Sequence, residues 1–320
     1  MGPRAASVAA ARRLRRPSTR RAERRFLAEG FQAVEAALAA GRLTELFVGE
    51  WAADRHTALV TRAADTGVPV RSVTDAAAAA LSETVTPQGL VGVATLPDVT
   101  LAALSARPGS TSLPGAVRRG GPGGNADLPT PTLVAICVAA NDPGNAGTVI
   151  RTADAAGADA VIFAGEGVDP FGGKCVRASA GSLFHLPVVT EPDLGATLGW
   201  LRATGCRVVA TSGHGTRDLY DAADAGELDG PTGWLFGNEA HGLPADALAA
   251  ADAVLRVPVY GQAESLNLAV ATALCLYASA RAYRTRERGA GENGTGARST
   301  AAHSTSPARR PADQGRGSAV

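Results

Sequence analysis

Cysteine, histidine and aromatic residues are scarce in this 320-residue sequence, which has four cysteines, five histidines and 4% aromatic residues. The cysteines, Cys137, Cys175, Cys206 and Cys275, are scattered and lie mostly in apolar surroundings. A disulfide framework or a cysteine metal cluster requires regularly spaced cysteines, so we expect buried structural thiols instead. The histidines also lack the spacing of metal ligands, and the sequence therefore predicts no metal site.

Long apolar runs are also missing. The longest apolar segment, residues 266–280, contains Asn267, Thr272 and Ser279 and is shorter than the ~20 residues that span a bilayer. It predicts a buried helix in the core or at a subunit interface, and no membrane partner. A short AASVAAA run between arginines near the N-terminus is a poor signal peptide, although an Arg-rich organelle transit peptide stays open. We therefore expect an intracellular, cytoplasmic protein.

The formal net charge of +1 conceals an uneven distribution of charge along the chain. Residues 1–25 carry nine Arg and one Glu, a net +8, and residues 285–320 carry six Arg and three acids, a net +3, which leaves −10 for the rest. Blocks of like charge with Pro, Ser and Gly are usually disordered, and a basic arm attracts nucleic acid. We expect disordered basic tails that bind nucleic acid; solvated tails without a partner are the alternative.

A polar turn follows a strongly apolar run in the middle of the chain. Residues 132–139 (TLVAICVA) are β-branched and nearly continuous, which is typical of a strand buried on both faces of a parallel sheet. The DPG sequence at 142–144 then turns the chain into a helix that begins near Asn145 and carries Arg151 almost two turns later. These two polar side chains can face one cavity; a capped α/β turn with a surface arginine is the alternative.

Two later segments also place small and amide residues at the ends of apolar strands. Residues 232–244 (TGWLFGNEAHGLP) end a short strand, and residues 257–277 (VPVYGQAESLNLAVATALCLY) lead from a strand end into a long apolar helix. The polar and small residues concerned are Gly237, Asn238, Glu239, Ser265 and Asn267. Because the carboxyl ends of parallel strands meet at one edge of a sheet, these segments predict a shared pocket at that edge.

Three motifs in this order carry a family resemblance. The segments NDPGNAGTVIRTA, LFGNEAHGLP and VPVYGQAESLNLAVA closely resemble the ordered motifs of the SpoU (TrmH-like) branch of the SPOUT RNA methyltransferases. The segment KCVRASAGSLFHLPV (174–188) resembles the connecting stretch of that family, and FLAEG with TPQGLVGVA carries a weaker likeness over residues 25–96. Within that family, the chain resembles the antibiotic-resistance and housekeeping ribosomal RNA enzymes, including the thiostrepton-resistance type.

The resemblance implies a fold class and a domain order. The expected fold is α/β, with a knotted (trefoil) parallel-sheet methyltransferase domain preceded by a small α/β ribosomal-protein-like domain that binds the RNA substrate. It also implies a homodimer whose catalytic sites draw on both subunits. The expected boundaries are a basic disordered tail at 1–24, the RNA substrate-binding domain at 25–104, a linker at 105–131, the SpoU methyltransferase domain at 132–284 and a disordered tail at 285–320.

The resemblance implies transfer of a methyl group from S-adenosyl-L-methionine to a ribose 2′-hydroxyl of RNA. The N-terminal domain favours 23S ribosomal RNA as the substrate; a transfer RNA 2′-O-methyltransferase and a non-catalytic RNA-binding factor with the same fold remain alternatives. A nucleotide-dependent oxidoreductase is set aside because the phosphate-binding glycines are missing.

The resemblance also assigns roles to individual residues. The residues that match the catalytic positions are Arg151, Asn145, Ser265, Asn267 and Glu239. The residues expected on the cofactor side, mainly through their backbone, are Gly237, Asn238, Val257, Pro258, Leu266 and Asn267. An arginine stays protonated at neutral pH and is a poor general base. We therefore interpret Arg151 as a clamp on the phosphate of the target nucleotide, which polarises the hydroxyl while the phosphate or a water accepts its proton.

Overall fold

Two β-sheets, each with its own helices, make up the fold. The computed structural model describes residues 1–97, 99–105 and 133–296, with side chains described as far as residue 285. Met1–Tyr283 form one compact unit, and a second unit begins at Arg284. The expected linker at 105–131 falls almost wholly outside the described residues.

The first sheet has four strands in the order β1-β4-β2-β3, with β4 antiparallel to β1 and β2, and β3 parallel to β2. Its strands are β1 (Arg25–Glu29), β2 (Leu43–Gly49), β3 (Val70–Val73) and β4 (Leu90–Thr95). The helices of this part are α1 (Ala6–Arg13), α2 (Pro17–Glu23), α3 (Phe31–Ala39), α4 (Glu50–Arg55), α5 (Thr57–Asp65), α6 (Asp75–Leu81) and α7 (Leu101–Ser105).

The second sheet has seven strands in the order β7-β6-β5-β10-β8-β11-β9, and every neighbouring pair is parallel. Its strands are β5 (Leu133–Val138), β6 (Ala160–Ala164), β7 (Val188–Glu191), β8 (Arg207–Thr211), β9 (Arg217–Asp218), β10 (Thr232–Phe236) and β11 (Ala253–Arg256). The accompanying helices are α8 (Pro143–Ala156), α9 (Gly173–Ala178), α10 (Leu194–Ala203), α11 (Leu219–Asp224), α12 (Ala245–Ala250) and α13 (Leu268–Gly296), with a 3₁₀ turn at Ser182–Phe184.

The inner strand β5 is buried on both faces, as the sequence predicts. Alternate residues enter two different apolar clusters, so that Ala135 belongs to one cluster and Ile136 to the other. The four cysteines are free and buried, which confirms the expectation of structural thiols. Burial, with a smaller effect of the nearby Glu239 carboxylate, raises the pKa of Cys137 to about 12 and keeps that thiol neutral at pH 7.

The prediction of a disordered tail at residues 1–24 is wrong. The segment forms α1 and α2, and Val8, Ala11 and Leu14 are buried against α6 and the first sheet. The physical reason is a spacing of three residues between these apolar side chains, which gives the Arg-rich segment one continuous buried stripe. The net charge of the segment does not prevent folding because the arginines lie mostly outside this stripe.

The last helix also departs from the prediction. The segment expected as a disordered tail from residue 285 begins as a continuation of α13, which ends at Gly296; the residues after it lie outside the described part. One face of α13 packs on the core through Leu268, Cys275 and Leu276. Val270 and Tyr277 are exposed, with relative areas of 49% and 53%. Among the described residues, no helix combines the length and the apolar character needed to cross a membrane.

Candidate functional site

A cavity of about 1340 Å³ opens at the carboxyl edge of the seven-stranded sheet. Its walls come from the segments that follow β5, β8, β10 and β11, which are adjacent or nearly adjacent strands in the sheet. The strand order reverses at this point, because β6 lies on one side of β5 and β10 lies on the other side. Ligands of open α/β sheets bind at such a position.

The first wall is the turn between β5 and α8. The Oδ1 atom of Asp142 accepts a hydrogen bond from the backbone N–H of Asn145 at 2.8 Å and so caps the helix, and Pro143 occupies its first turn. The Nζ atom of Lys174 binds Oδ2 of Asp142 at 2.8 Å. The Lys174 hydrogen bond, followed by the Asn145 backbone bond, lowers the pKa of Asp142, so this carboxylate stays charged at the N-terminus of the helix.

Asn145 joins the three predicted motifs through its side-chain amide. Its Nδ2 atom donates to Oε1 of Glu239 at 3.0 Å, and its Oδ1 atom accepts from Nδ2 of Asn267 at 2.9 Å. Asn267 in turn accepts a hydrogen bond from the backbone N–H of Ala269 at 2.9 Å, at the start of α13. One short polar side chain therefore connects the ends of β5 and β10 to the beginning of the last helix.

The loop after β10 folds back on itself and depends on Gly237. A β-carbon built on Gly237 would lie 2.2 Å from the carbonyl carbon of Gly242 and 2.4 Å from the Leu243 nitrogen, both of which are backbone atoms. Asn238 and Gly242 exchange two backbone hydrogen bonds across this loop, and Nδ2 of Asn238 donates to the Ala139 carbonyl at 2.7 Å. Only glycine fits this close approach.

The wall after β11 consists of irregular backbone between Arg256 and the start of α13 at Leu268. Val257, Pro258, Ser265 and Leu266 line the cavity there. Backbone amides and carbonyls that no sheet or helix uses are suited to the polar groups of a nucleoside and an amino acid. The cavity also exceeds the ~300–1,000 Å³ of an ordinary ligand site, so it can hold a nucleoside-sized cofactor together with part of a second ligand.

The structure brings all but one of the predicted site residues to this cavity. The residues that line it are Asn145, Gly237, Asn238, Glu239, Val257, Pro258, Ser265, Leu266 and Asn267. Arg151 is exposed on α8 and is not among the lining residues. It follows Asn145 by six positions, which places it about 120° away around the helix. The expectation that Asn145 and Arg151 face one cavity is therefore not met within a single chain.

Several lining residues were missed by the reading of the sequence. Ser212 and His214 follow the end of β8, and Asp218 lies nearby at the start of α11. The available signal was the sequence TSGHG, which directly follows the apolar residues VVA of β8 and repeats the pattern of a strand followed by small polar residues. His241, interpreted as a loop residue, lies in the loop after β10 and also lines the cavity. No cluster of His, Cys, Asp and Glu suited to a metal ion occurs in the part of the chain that the structure describes.

Comparison with known proteins defines the family. Residues 132–277 match the SpoU rRNA methylase family model, and residues 27–99 match the model for the substrate-binding domain of RNA 2′-O ribose methyltransferases. The chain is 34% identical over 255 residues to the 23S rRNA (guanosine(2553)-2′-O)-methyltransferase RlmP of Bacillus subtilis (strain 168), which covers 79% of this chain and 87% of the relative. The chain therefore belongs to the SpoU rRNA methylase family, and the predicted resemblance is confirmed.

Other relatives agree with this assignment. A 23S rRNA (uridine(2479)-2′-O)-methyltransferase of Streptomyces viridochromogenes is 40% identical over 144 residues, covering 43% of this chain and 49% of the relative. The AdoMet-bound rRNA methyltransferase from Sinorhizobium meliloti superposes with a TM-score of 0.69 at 30% identity, over 87% of this chain and 95% of that structure. The SpoU methyltransferase AviRb from Streptomyces viridochromogenes, in complex with AdoMet, gives 0.69 at 26% identity, over 88% and 99%.

These structures confirm the expected fold class, with a parallel-sheet methyltransferase domain and an N-terminal substrate-binding domain. They also define the cofactor. Relatives at this level of similarity bind S-adenosyl-L-methionine, and the cavity with its backbone-rich walls fits that group.

Proposed function

We propose that this chain methylates a ribose 2′-hydroxyl of 23S ribosomal RNA. Membership of the SpoU family makes it an S-adenosylmethionine-dependent RNA 2′-O-methyltransferase. The observation that carries the proposal is the hydrogen-bonded connection of Asn145 with Glu239 and Asn267 at the mouth of the cofactor-sized cavity. Two relatives named for 2′-O-methylation of 23S rRNA support this RNA as the substrate.

The chemistry requires help from the protein because a ribose hydroxyl is a weak nucleophile at neutral pH. When bound, S-adenosylmethionine supplies a methyl group made electrophilic by its sulfonium. Gly237, Val257 and Leu266 line the cavity and would hold the cofactor through their backbone groups. Asn145 keeps Glu239 and Asn267 in one geometry, which would align a bound ribose hydroxyl for attack, and such alignment lowers the barrier by several kcal/mol.

Arg151 acts on the RNA rather than on the cofactor. Its guanidinium binds the phosphate of the target nucleotide through two parallel hydrogen bonds and polarises the 2′-hydroxyl. When the ribose oxygen accepts the methyl group, the hydroxyl proton would pass to that phosphate or to a water. Ser265 lies two residues before Asn267 in the same wall, and its hydroxyl would hydrogen-bond the target ribose.

The active enzyme is a homodimer in which Arg151 of one subunit serves the cavity of the other. The exposure of Arg151 away from its own cavity supports this arrangement, as do the exposed apolar side chains of Val270 and Tyr277 on α13. We further propose that the methyltransferase domain carries the trefoil knot of its family, and that the protein works in the cytoplasm, where ribosomal RNA is made.

The function is tested by mapping ribose methylation in ribosomal RNA from cells with and without this protein. Mass spectrometry is expected to find one 2′-O-methylated nucleotide in 23S RNA that depends on the protein and that purified protein restores in vitro. A dependent nucleotide in transfer RNA would replace the proposed substrate. Unchanged maps in both RNAs, together with S-adenosylmethionine binding in calorimetry, would indicate another RNA target. Unchanged maps without S-adenosylmethionine binding would indicate a non-catalytic RNA-binding factor.

Sharing of the active site between subunits has a direct test. We expect Arg151→Ala and Asn267→Ala each to lower methyl transfer by about a hundredfold, because each removes an interaction that aligns the hydroxyl. Mixed by unfolding and refolding, the two inactive variants are expected to recover about one quarter of the wild-type rate, since half of the dimers are mixed and each mixed dimer has one intact site.

The control for this mixture is the double variant that carries both substitutions in one chain, refolded with wild-type protein. It also forms mixed dimers, but in these one site lacks Arg151 and the other lacks Asn267, so the rate is expected to fall to about one quarter of the wild-type value. No recovery in the mixture of single variants, with about half of the rate retained in this control, would place Arg151 in the cavity of its own chain.

A further inference from the structure

The arginines near the N-terminus separate into two groups when the chain folds. Residues 1–25 carry nine arginines and one glutamate, which the sequence presents as a single basic block. The family models begin at residue 27, so this segment lies outside both of them. In the structure, some of these arginines hold α1 and α2 in place, and others project from the surface.

Arg20 belongs to the first group. Its side chain is only 6% exposed, and its guanidinium donates to the carbonyl oxygens of Leu14 and Arg15 at 2.9 and 2.8 Å. The same guanidinium donates to Oδ2 of Asp169 at 3.1 and 2.6 Å. Arg20 therefore ties the turn between α1 and α2 to the segment before α9, and truncating such a buried, paired charge is costly.

Two further arginines are engaged in ion pairs. Nε of Arg15 binds Oε1 of Glu83 at 3.1 Å, and Arg25 pairs with Glu23. Like Arg20, these two side chains are paired with carboxylates of the protein itself. They are poor candidates for binding an external anion.

The second group consists of Arg12, Arg13, Arg16 and Arg21, which we call the basic face. All four are exposed. Arg13 makes one distant ion pair with Glu23 at 3.9 Å, and in the described part of the chain no ion pair or side-chain hydrogen bond is seen for the guanidinium groups of the other three. Because α1 and α2 are packed and pinned by Arg20, these four charges are held on folded helices and the turn between them rather than on a flexible arm.

Arg20, which pins the helices that carry the basic face, is linked to the active site by a short stretch of chain. Arg20 binds Asp169, and five residues later Lys174 binds Asp142, whose other oxygen caps α8 at Asn145. Five residues reach at most about 18 Å. Between them, a β-carbon on Gly173 would lie 2.7 Å from Oε2 of Glu83, so the start of α9 packs against the pair that Glu83 makes with Arg15.

We propose that the basic face binds the phosphate backbone of the RNA substrate and holds it against the active-site side of the protein. This inference rests on the proposed function, because it takes RNA as the substrate. Outside residues 1–25 and 285–320, the chain carries a net −10, which repels nucleic acid. Four fixed guanidinium groups on this acidic body match phosphates without reading bases, and binding releases counterions from the RNA.

The experiment replaces the four arginines of the basic face with glutamine, which keeps the side-chain length and helix propensity but removes the charge. Binding of an unmodified 23S ribosomal RNA transcript, and of an RNA duplex of unrelated sequence, is measured as a function of salt. Each lost phosphate contact lowers the slope of log affinity against log salt by about 0.7–0.9, so the variant is expected to lose about 3 from the slope for both RNAs.

Catalysis separates this role from a place in the active site. At saturating RNA, the single-turnover rate of the variant is expected to stay within about twofold of the wild type, because contacts made equally in ground and transition states change only affinity. The affinity for S-adenosylmethionine and the midpoint of thermal unfolding are expected to be unchanged, since the four side chains are exposed.

A control removes two exposed charges outside the substrate-binding domain, through Arg202→Gln and Arg217→Gln, and is compared with the pair Arg12→Gln and Arg13→Gln of the basic face. A much smaller loss of slope in this control supports the basic face, whereas an equal loss would reduce the effect to net charge and overturn the proposal. An unchanged slope in the basic-face variant would also overturn the proposal. So would a variant that binds both RNAs normally but binds ribosomal particles more weakly, because that result would indicate a protein partner. Failure of the proposed function is distinguishable, because the wild-type protein would then bind these RNAs without methylating the transcript.

Discussion

Replacing Asn145 with alanine is expected to lower the single-turnover rate of methyl transfer by about a hundredfold or more, the scale of misalignment of reacting groups. The substitution removes both hydrogen bonds of the side-chain amide, to Glu239 and from Asn267. These two side chains then lose the connection that holds the loop after β10 against the start of α13. The measurement is single-turnover methylation of RNA at saturating S-adenosylmethionine, together with calorimetric binding of the cofactor.

A neighbouring threonine supplies the control for Asn145. Thr148 lies one turn further along α8, and its hydroxyl donates to the Gly144 carbonyl at 2.8 Å within the same helix. We expect Thr148→Ala to keep the rate within about twofold, since an exposed intrahelical bond contributes little. The pair Asn145→Ala and Glu239→Ala should be strongly non-additive because both remove the same contact. Additive losses, or a rate above half of the wild type for Asn145→Ala, would contradict the role given to this amide.

Gly237→Ala is expected to weaken S-adenosylmethionine binding by more than about a hundredfold, or 2.7 kcal/mol. The new methyl group would lie 2.2 Å from a backbone carbon of Gly242, and no rotation of a side chain can relieve that overlap. The loop from Gly237 to Leu243 must therefore move away from the cavity, and its backbone groups move with it. Calorimetry measures the loss of affinity directly.

Gly261→Ala is the matched control, because Gly261 lies in the loop after β11 and a β-carbon there meets no atom of the described residues within 4 Å. It is expected to bind the cofactor as the wild type does. Thermal unfolding and RNA affinity of the Gly237 variant show whether the rest of the chain still folds. Cofactor affinity within about threefold of the wild type would mean that the loop tolerates the methyl group and that its close packing does not build the site.

Much of the site follows from local patterns in the sequence. The apolar run of β5 and the amide and glycine residues after β10 predict strand ends, and parallel strands bring their carboxyl ends to one edge. Asn145, Glu239 and Asn267 were selected on this basis together with the family motifs, and they are in contact. Their catalytic roles stay predictions. Lys174 was missed as a partner of Asp142 because the two are 32 positions apart and no local pattern joins them.

The sequence by itself determined the family, the parallel sheet and which loops meet, since strand burial and motif order are local properties of the chain. Only the tertiary structure decided which arginines are buried in ion pairs and which are exposed. Arg20 and Arg21 are neighbours in one basic run, yet Arg20 is buried on Asp169, 149 positions away, and Arg21 is exposed. Arg151 likewise lies outside its own cavity because of the rotation of one helix. A charge can be solvated, paired or offered to a ligand, and the choice depends on contacts that form only when distant segments pack together.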